Sequence, residues 1–174
     1  MNTVGVIDFQ IGLEERISKI YGMIANLFSL ETPTDAEWVT LWRELSVDEQ
    51  NHASLLSIEK TFLQTGTHVK KPIEIGREIQ QTFEAMLTRC EARVQSKISR
   101  KDAMKILKEL ENSEVNKLFS SLLKVTDSKV LSHLADFSRT HIEHDRRIQA
   151  AVEKYGENEH SVPNKMGGKE AEHV

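Results

Sequence analysis

A glutamate and a histidine three residues apart interrupt an apolar helical stripe in the segment ELSVDEQNHASLL. These residues are Glu49 and His52, and their spacing places both side chains on one face of a helix, within reach of a single metal ion. The Glu-x-x-His spacing also occurs twice near the C-terminus, and in a chain with seven His and abundant Glu, chance accounts for most such matches. The elements around the pair must therefore show whether it faces the core.

The bulk properties indicate one helical domain. The 174 residues are 29% charged and 39% hydrophobic, and the eight Gly and three Pro are scarce inside the long periodic segments. The net charge of -4 gives no reason to expect nucleic acid or an anionic membrane as a partner. The single cysteine, Cys90, excludes an internal disulfide and a four-cysteine metal site. No signal peptide or membrane span is apparent, and we expect a cytoplasmic protein.

Apolar periodicity predicts four long helices and a helical crossover, which together match a four-helix bundle with one long connection. Thr34 or Asp35 is predicted to cap the start of the second helix, Gly66 is its predicted C-cap, and Ser99 with Asp102 caps the fourth segment. The predicted segments are about 10–30, 35–63, 73–98 (the crossover), 100–124 and 128–155. Residues 1–156 form the domain, and the polar segment 157–174, which holds the pairs Glu157/His160 and Glu170/His173, is predicted to be a flexible tail.

Each bundle helix carries carboxylates or imidazoles on or beside its predicted inner face. Glu14 lies at the edge of the apolar stripe of the first predicted helix. Glu49 and His52 lie within the apolar stripe of the second predicted helix. The remaining candidates are Glu111 and Glu114 on the fourth segment and His141 and His144 on the last helix. Burying several unpaired carboxylates would consume a whole domain's net stability. Arg and Lys are nearly absent from these stripes, so bound metal ions are the better means of neutralisation.

Taken singly, each candidate also fits a simpler interpretation. A core His is often only hydrogen-bonded, and a Glu beside a stripe often reaches the surface. Seven candidates on four helices, all at or beside inner faces, favour a shared metal site. Carboxylate and imidazole ligands suit iron, manganese and zinc.

The pattern resembles the ferritin-like superfamily and, within it, the rubrerythrin di-iron domain, over roughly Leu13 to Tyr155. The resemblance is carried by EERISKIY with Glu14 and Tyr21, by EQNH, by ENSEVNKLF with its Glu-x-x-Glu, and by HIEH on the last helix. It implies about two irons per chain, held by the seven candidate ligands, with Tyr21 beside the metals. The last helix departs from the family pattern because His141 stands where a Glu is expected. A neutral imidazole cannot bridge two metals as a carboxylate does, so zinc, manganese or a single occupied position are alternatives, with Glu143 and Asp145 as substitute ligands.

The resemblance implies reaction of a di-iron pair with peroxide or oxygen, or oxidation of Fe(II), and hence an oxidoreductase of the peroxidase or ferroxidase type. With one cysteine the chain has no rubredoxin-type iron site, so a reductase activity needs an external electron donor. The family also favours a homodimer. Two alternatives stay open. One is a non-catalytic metal-binding or sensing module, and the other is an interaction protein in which water fills the space between the inward-facing polar residues.

Overall fold

The structure is a computed structural model that describes residues 3–31, 33–65, 75–112 and 135–156, with side chains of the last stretch from residue 142. Within these residues there are five helices and a few short non-helical stretches, and there is no strand. The helices are α1 (Thr3–Ser29), α2 (Ala36–Gln64), α3 (Arg77–Val94), α4 (Arg100–Glu111) and α5 (Ala135–Gly156). The predicted all-helical class is confirmed. The predicted tail, 157–174, lies outside the described residues.

The start of α1 was predicted too late. The helix begins at Thr3, not near Gln10, because Val6 and Ile7 continue the apolar stripe and are fully buried. They pack with Leu56 of α2 and Ile75, which precedes α3. This extra length places Gln10 inside the helix, one turn before Glu14.

Side-chain caps define the starts of α2 and α4 as predicted. Asp35 accepts a hydrogen bond from the Trp38 backbone N–H at 3.1 Å. Ser99 Oγ accepts one from the Asp102 backbone N–H at 3.1 Å and donates to the Asp102 carboxylate at 2.6 Å. Each cap satisfies an N–H that has no partner within its helix. The C-cap of α2 is Thr65, and Gly66 lies outside the described residues.

The later boundaries differ from the predicted ones. The helix α4 ends at Glu111, where Asn112 donates its backbone N–H to the Lys108 carbonyl at 3.1 Å, whereas the sequence pattern extended this helix to about residue 124. Residues 113–134 lie outside the described part of the chain. The crossover segment contains a helix, α3, that covers 77–94 and is shorter than the predicted 73–98.

The helices α1 and α2 pack along each other in antiparallel directions. Ser18 Oγ donates to the Ser46 carbonyl at 2.8 Å, and Ser46 Oγ donates to the Ser18 carbonyl at 2.9 Å. Further along the pair, Lys60 of α2 forms an ion pair with Asp8 of α1 at 2.5 Å. The two serine bonds let the backbones approach closely and fix the axial offset between the helices.

The other helices cover this pair. The helix α3 packs on α1, where Arg16 forms an ion pair with Glu91 at 2.7 Å, and α5 contacts both α2 and α4. Phe83, Leu87 and Cys90 of α3 are buried, whereas Ile79 near its start is 42% exposed. No helix among the described residues is long and apolar enough to cross a membrane.

Candidate metal centre

Four helices bring five of the predicted ligands into one buried cluster. Glu14 comes from α1, Glu49 and His52 from α2, Glu111 from α4 and His144 from α5. Four of them are 1–3% exposed, and the Glu111 side chain is 10% exposed. The prediction that these residues face inward is confirmed.

The ligand atoms form two groups that share one residue. The first group is Glu14, Glu49 and His52, and the second is Glu49, Glu111 and His144. Within each group the nitrogen and oxygen atoms lie within 4.8 Å of one another. Because Glu49 belongs to both groups, its two carboxylate oxygens face different sets of neighbours.

Short contacts around Glu49 show how it is shared. Its Oε2 lies 2.8 Å from His52 Nδ1, and its Oε1 lies 3.3 Å from His144 Nε2. The same His144 nitrogen lies 3.6 Å from Glu111 Oε2. One carboxylate oxygen of Glu49 therefore faces each imidazole, as a carboxylate must if it is to bridge two cations.

The electrostatics of the cluster favour a positive charge in its centre. Burial, the charge of Glu49 and a hydrogen bond to it raise the pKa of Glu14 well above its ordinary value. Burial and the charge of Glu111 raise the pKa of Glu49 to about 7. Burial lowers the pKa of His52, so this imidazole favours its neutral, metal-ligating form. Protons or cations must offset the carboxylate charges, and the donor set of three carboxylates and two imidazoles fits iron, manganese or zinc.

Asp48 orients His144 and was missed by the sequence analysis. The His144 Nδ1–H donates to Asp48 Oδ2 at 3.2 Å, and Asp48 is also bound by Arg147, whose Nε lies 3.1 Å from Glu44. Burial alone would lower the pKa of His144, but the hydrogen bonds to Asp48 and Glu111 and the charge of Glu49 raise it to about 10. Carboxylates placed behind ligating histidines fix the ring and its tautomer. Asp48 lies at the edge of the α2 stripe, three residues after Leu45 and four before His52, so helical spacing offered a signal for it that the sequence analysis did not use.

Gln10 and Tyr21 complete the polar surroundings of the cluster. The fully buried Gln10 donates from Nε2 to Glu14 Oε1 at 2.5 Å. The Tyr21 hydroxyl donates to Glu111 Oε1 at 2.5 Å, which confirms that Tyr21 lies beside the cluster. Burial and the neighbouring carboxylate of Glu111 raise the pKa of Tyr21 well above its ordinary value, so it stays a hydrogen-bond donor. Gln10 was missed because α1 was predicted to start there.

The remaining predicted ligands are not placed by the structure. Glu114 lies outside the described residues, as does the side chain of His141, so both stay predictions from the sequence. Glu143 and Asp145, the substitutes considered for His141, are both exposed.

Comparison of the chain with protein-family models, with curated proteins and with solved structures finds no match in any of the three.

Proposed function

We propose that this chain is a ferritin-like, rubrerythrin-type metalloprotein that holds two metal ions in its helical core and reacts with peroxide, oxygen or Fe(II). The observation that carries the proposal is the sharing of Glu49 between two converging groups of ligands. In di-iron carboxylate bundles, two helices each give a Glu and two others each give a Glu-x-x-His. Glu14, Glu111, the Glu49/His52 pair and His144 supply five of those six positions.

Iron is the metal that this chemistry needs, with about two ions per chain. Glu49 would bridge the two ions, Glu14 and His52 would hold one, and Glu111 and His144 would hold the other. When bound, such a pair supplies a two-electron redox step that is split between two ions. Peroxide, oxygen and Fe(II) are the candidate substrates, and peroxide reduction requires an external electron donor.

The chain's own residues prepare the site for that step. Burial keeps bulk water away from the ligands. The hydrogen bond between His144 and Asp48 holds the imidazole so that its Nε2 faces the carboxylates of Glu49 and Glu111. The Tyr21 hydroxyl holds a proton 2.5 Å from Glu111, where it can be given to a reacting oxygen. Glu14, which shares a hydrogen bond with Glu49, is a second carrier of protons until a cation displaces them.

The proposal is tested by metal analysis followed by a reaction. The protein is purified without oxygen, stripped with a chelator, titrated with Fe(II) and then exposed to peroxide while near-ultraviolet absorbance is recorded. We expect about two irons per chain, with a charge-transfer absorbance that appears quickly after peroxide. Glu49→Gln, which removes the shared carboxylate, should abolish both results, and Glu15→Gln, an exposed neighbour on α1, should change neither. Native protein that binds no iron would refute the proposal.

A second candidate is a non-catalytic module that binds zinc, manganese or a single ion. It is favoured by the sequence, in which His141 stands where the family has a Glu, because an imidazole ligand there would make the site richer in nitrogen than a standard di-iron centre. The variant His141→Glu separates the two candidates. A large increase in iron oxidation over the native chain would mean that the native site is tuned away from that chemistry, and an unchanged rate would support the first candidate. If the purified chain holds no metal and a chelator leaves its Tm unchanged, both candidates fail and an interaction protein remains.

A further inference from the structure

All the Trp and Tyr residues of the chain lie in one line that starts at the candidate metal centre. The sequence has two Trp and two Tyr. Tyr21 donates its hydroxyl to Glu111 at 2.5 Å, and its ring centroid lies 5.6 Å from that of Trp42. The Trp42 ring lies 5.5 Å from Trp38, which lies 4.6 Å from Tyr155. These are the aromatic side chains that can lose an electron, and each one packs against the next.

Packing alone does not explain why two of these residues are tryptophans. Trp38 and Trp42 are both fully buried. No hydrogen-bond acceptor within the described part of the chain reaches either indole Nε1. A buried N–H without an acceptor is destabilising, and a Phe at either position would fill most of the space without it. At Trp38 a cation–π contact offsets part of this cost, because the Arg100 guanidinium lies 5.3 Å from the ring centroid. At Trp42 the indole carries a stability cost that a purely structural core would avoid.

The far end of the line opens into a basic cleft. Tyr155 borders a cavity of about 410 Å³ at the junction of α4 and the end of α5. Its charged lining consists of the cations of α4, namely Arg100, Lys101, Lys105 and Lys108. Within the described part of the chain, Asp35 pairs with Arg100 at 2.8 Å and Asp102 with Lys105 at 3.4 Å, and Lys101 also has an interaction partner, so part of this charge is offset. The charged residues among those that line the cleft are thus all basic, on a chain whose net charge is -4.

We propose that this basic cleft docks an acidic protein that carries single electrons, and that the line from Tyr155 to Tyr21 conducts those electrons to the metal centre. The inference rests on the proposed function, because it supplies the external donor that peroxide reduction needs. In that reaction the O–O bond of peroxide breaks, and two electrons and two protons convert it to two waters. Two carrier molecules are each oxidised by one electron. Tyr21 gives one electron inward and its hydroxyl proton to Glu111, and it takes both back when an electron from the carrier arrives by way of Tyr155.

The basic lining of the cleft fits such a partner. Lys101, Lys105 and Lys108 recur at intervals of four and three residues, so they lie along one face of α4. Clustered like charges of this kind steer an oppositely charged partner during encounter. Electron-transfer complexes use small interfaces.

Docking is tested with a two-iron ferredoxin of net negative charge as the probe. Isothermal titration at low and physiological salt compares the native chain with the triple variant Lys101→Glu/Lys105→Glu/Lys108→Glu. The matched control, Lys19→Glu/Arg43→Glu/Arg77→Glu, makes the same charge change at exposed sites that do not line the cleft. We expect native binding to weaken as salt rises, and to fall about tenfold or more in the cleft variant only. Equal weakening in both variants, or no native binding at low salt, would overturn the docking site.

Conduction is tested on metal-free protein, so the result does not depend on the proposed function. A carboxylated ruthenium bipyridine photo-oxidant is excited with an electron acceptor, and the radical is trapped by freezing and measured by electron paramagnetic resonance. The part of the signal that Tyr21→Phe removes belongs to Tyr21. We expect the Trp42→Phe variant to lack the Tyr21 radical signal, although Tyr21 itself is present in that variant. Phe28→Leu is the control, because Phe28 packs 5.5 Å from Trp38 but lies off the line. A native Tyr21 signal in Trp42→Phe would overturn the conduction route.

Metal content separates this inference from the one on which it rests. Trp38→Phe, Trp42→Phe and the cleft variant should bind as much iron as the native chain, because none of these positions contributes a ligand. If the native chain binds no iron, the proposed function fails. The ferredoxin measurement still tests docking at the cleft, and the radical measurement still tests electron transfer along the line of aromatic residues.

Discussion

Replacing Glu49 with Gln should stabilise the metal-free protein while abolishing its metal binding. Glu49 is 3% exposed, and burial together with the charge of Glu111 raises its pKa from 4.5 to about 7. The folded state therefore binds this proton more tightly than the unfolded state does. The resulting stability is fully present below pH 4.5 and is lost as the pH rises through 7.

The size of the effect follows from the difference between the two pKa values. Each unit corresponds to about 1.4 kcal/mol, so by pH 8 the ionised Glu49 lowers the free energy of unfolding by about 3 kcal/mol. A Gln has nearly the same shape and does not titrate. The metal-free variant should exceed the native chain by up to about 3 kcal/mol at pH 8, less the cost of burying an amide, and by much less at pH 4.5.

Urea unfolding in the presence of a chelator, followed by tryptophan fluorescence from pH 4.5 to 8, measures this difference directly. Glu15→Gln, at an exposed position on α1, should follow the native curve at every pH. A constant offset between Glu49→Gln and the native chain across the pH range would show that the carboxylate is not destabilised by burial. Metal titration of the same variant should show that both ions are lost.

Three further predictions follow from the geometry of the site and its helices. Glu14→Gln should lower iron content from about two ions to about one, measured by elemental analysis, because Glu14 belongs to only one ligand group; loss of both ions would contradict that division. Asp48→Ala should weaken metal binding about 10- to 100-fold in a chelator competition, because His144 loses the carboxylate that orients it; native affinity would mean that the ring is held by other contacts. Ser99→Ala should lower the free energy of unfolding by about 1 kcal/mol, because α4 loses its N-cap; an unchanged urea midpoint would refute that role.

The sequence alone determined the helical class, two helix caps and the inward direction of the candidate ligands. These features are local, because a period of 3.6 residues fixes which side chains share a face and a capping side chain acts within one turn. Helical periodicity was therefore sufficient to select Glu14, Glu49, His52, Glu111 and His144. The ferritin-like relationship and the bound metal stay predictions, since no comparison matches the chain.

Only the tertiary structure decided how these residues meet. The sharing of Glu49, the pairing of His144 with Asp48 and the edge-to-face contact of Trp38 with Tyr155 all join different helices, so they depend on axial offsets and rotations between helices. Reciprocal hydrogen bonds between two serines fix one such offset, that between α1 and α2. Helical periodicity gives the direction of a side chain about the axis of its helix. It carries no information on the axial position at which a neighbouring helix packs against that helix.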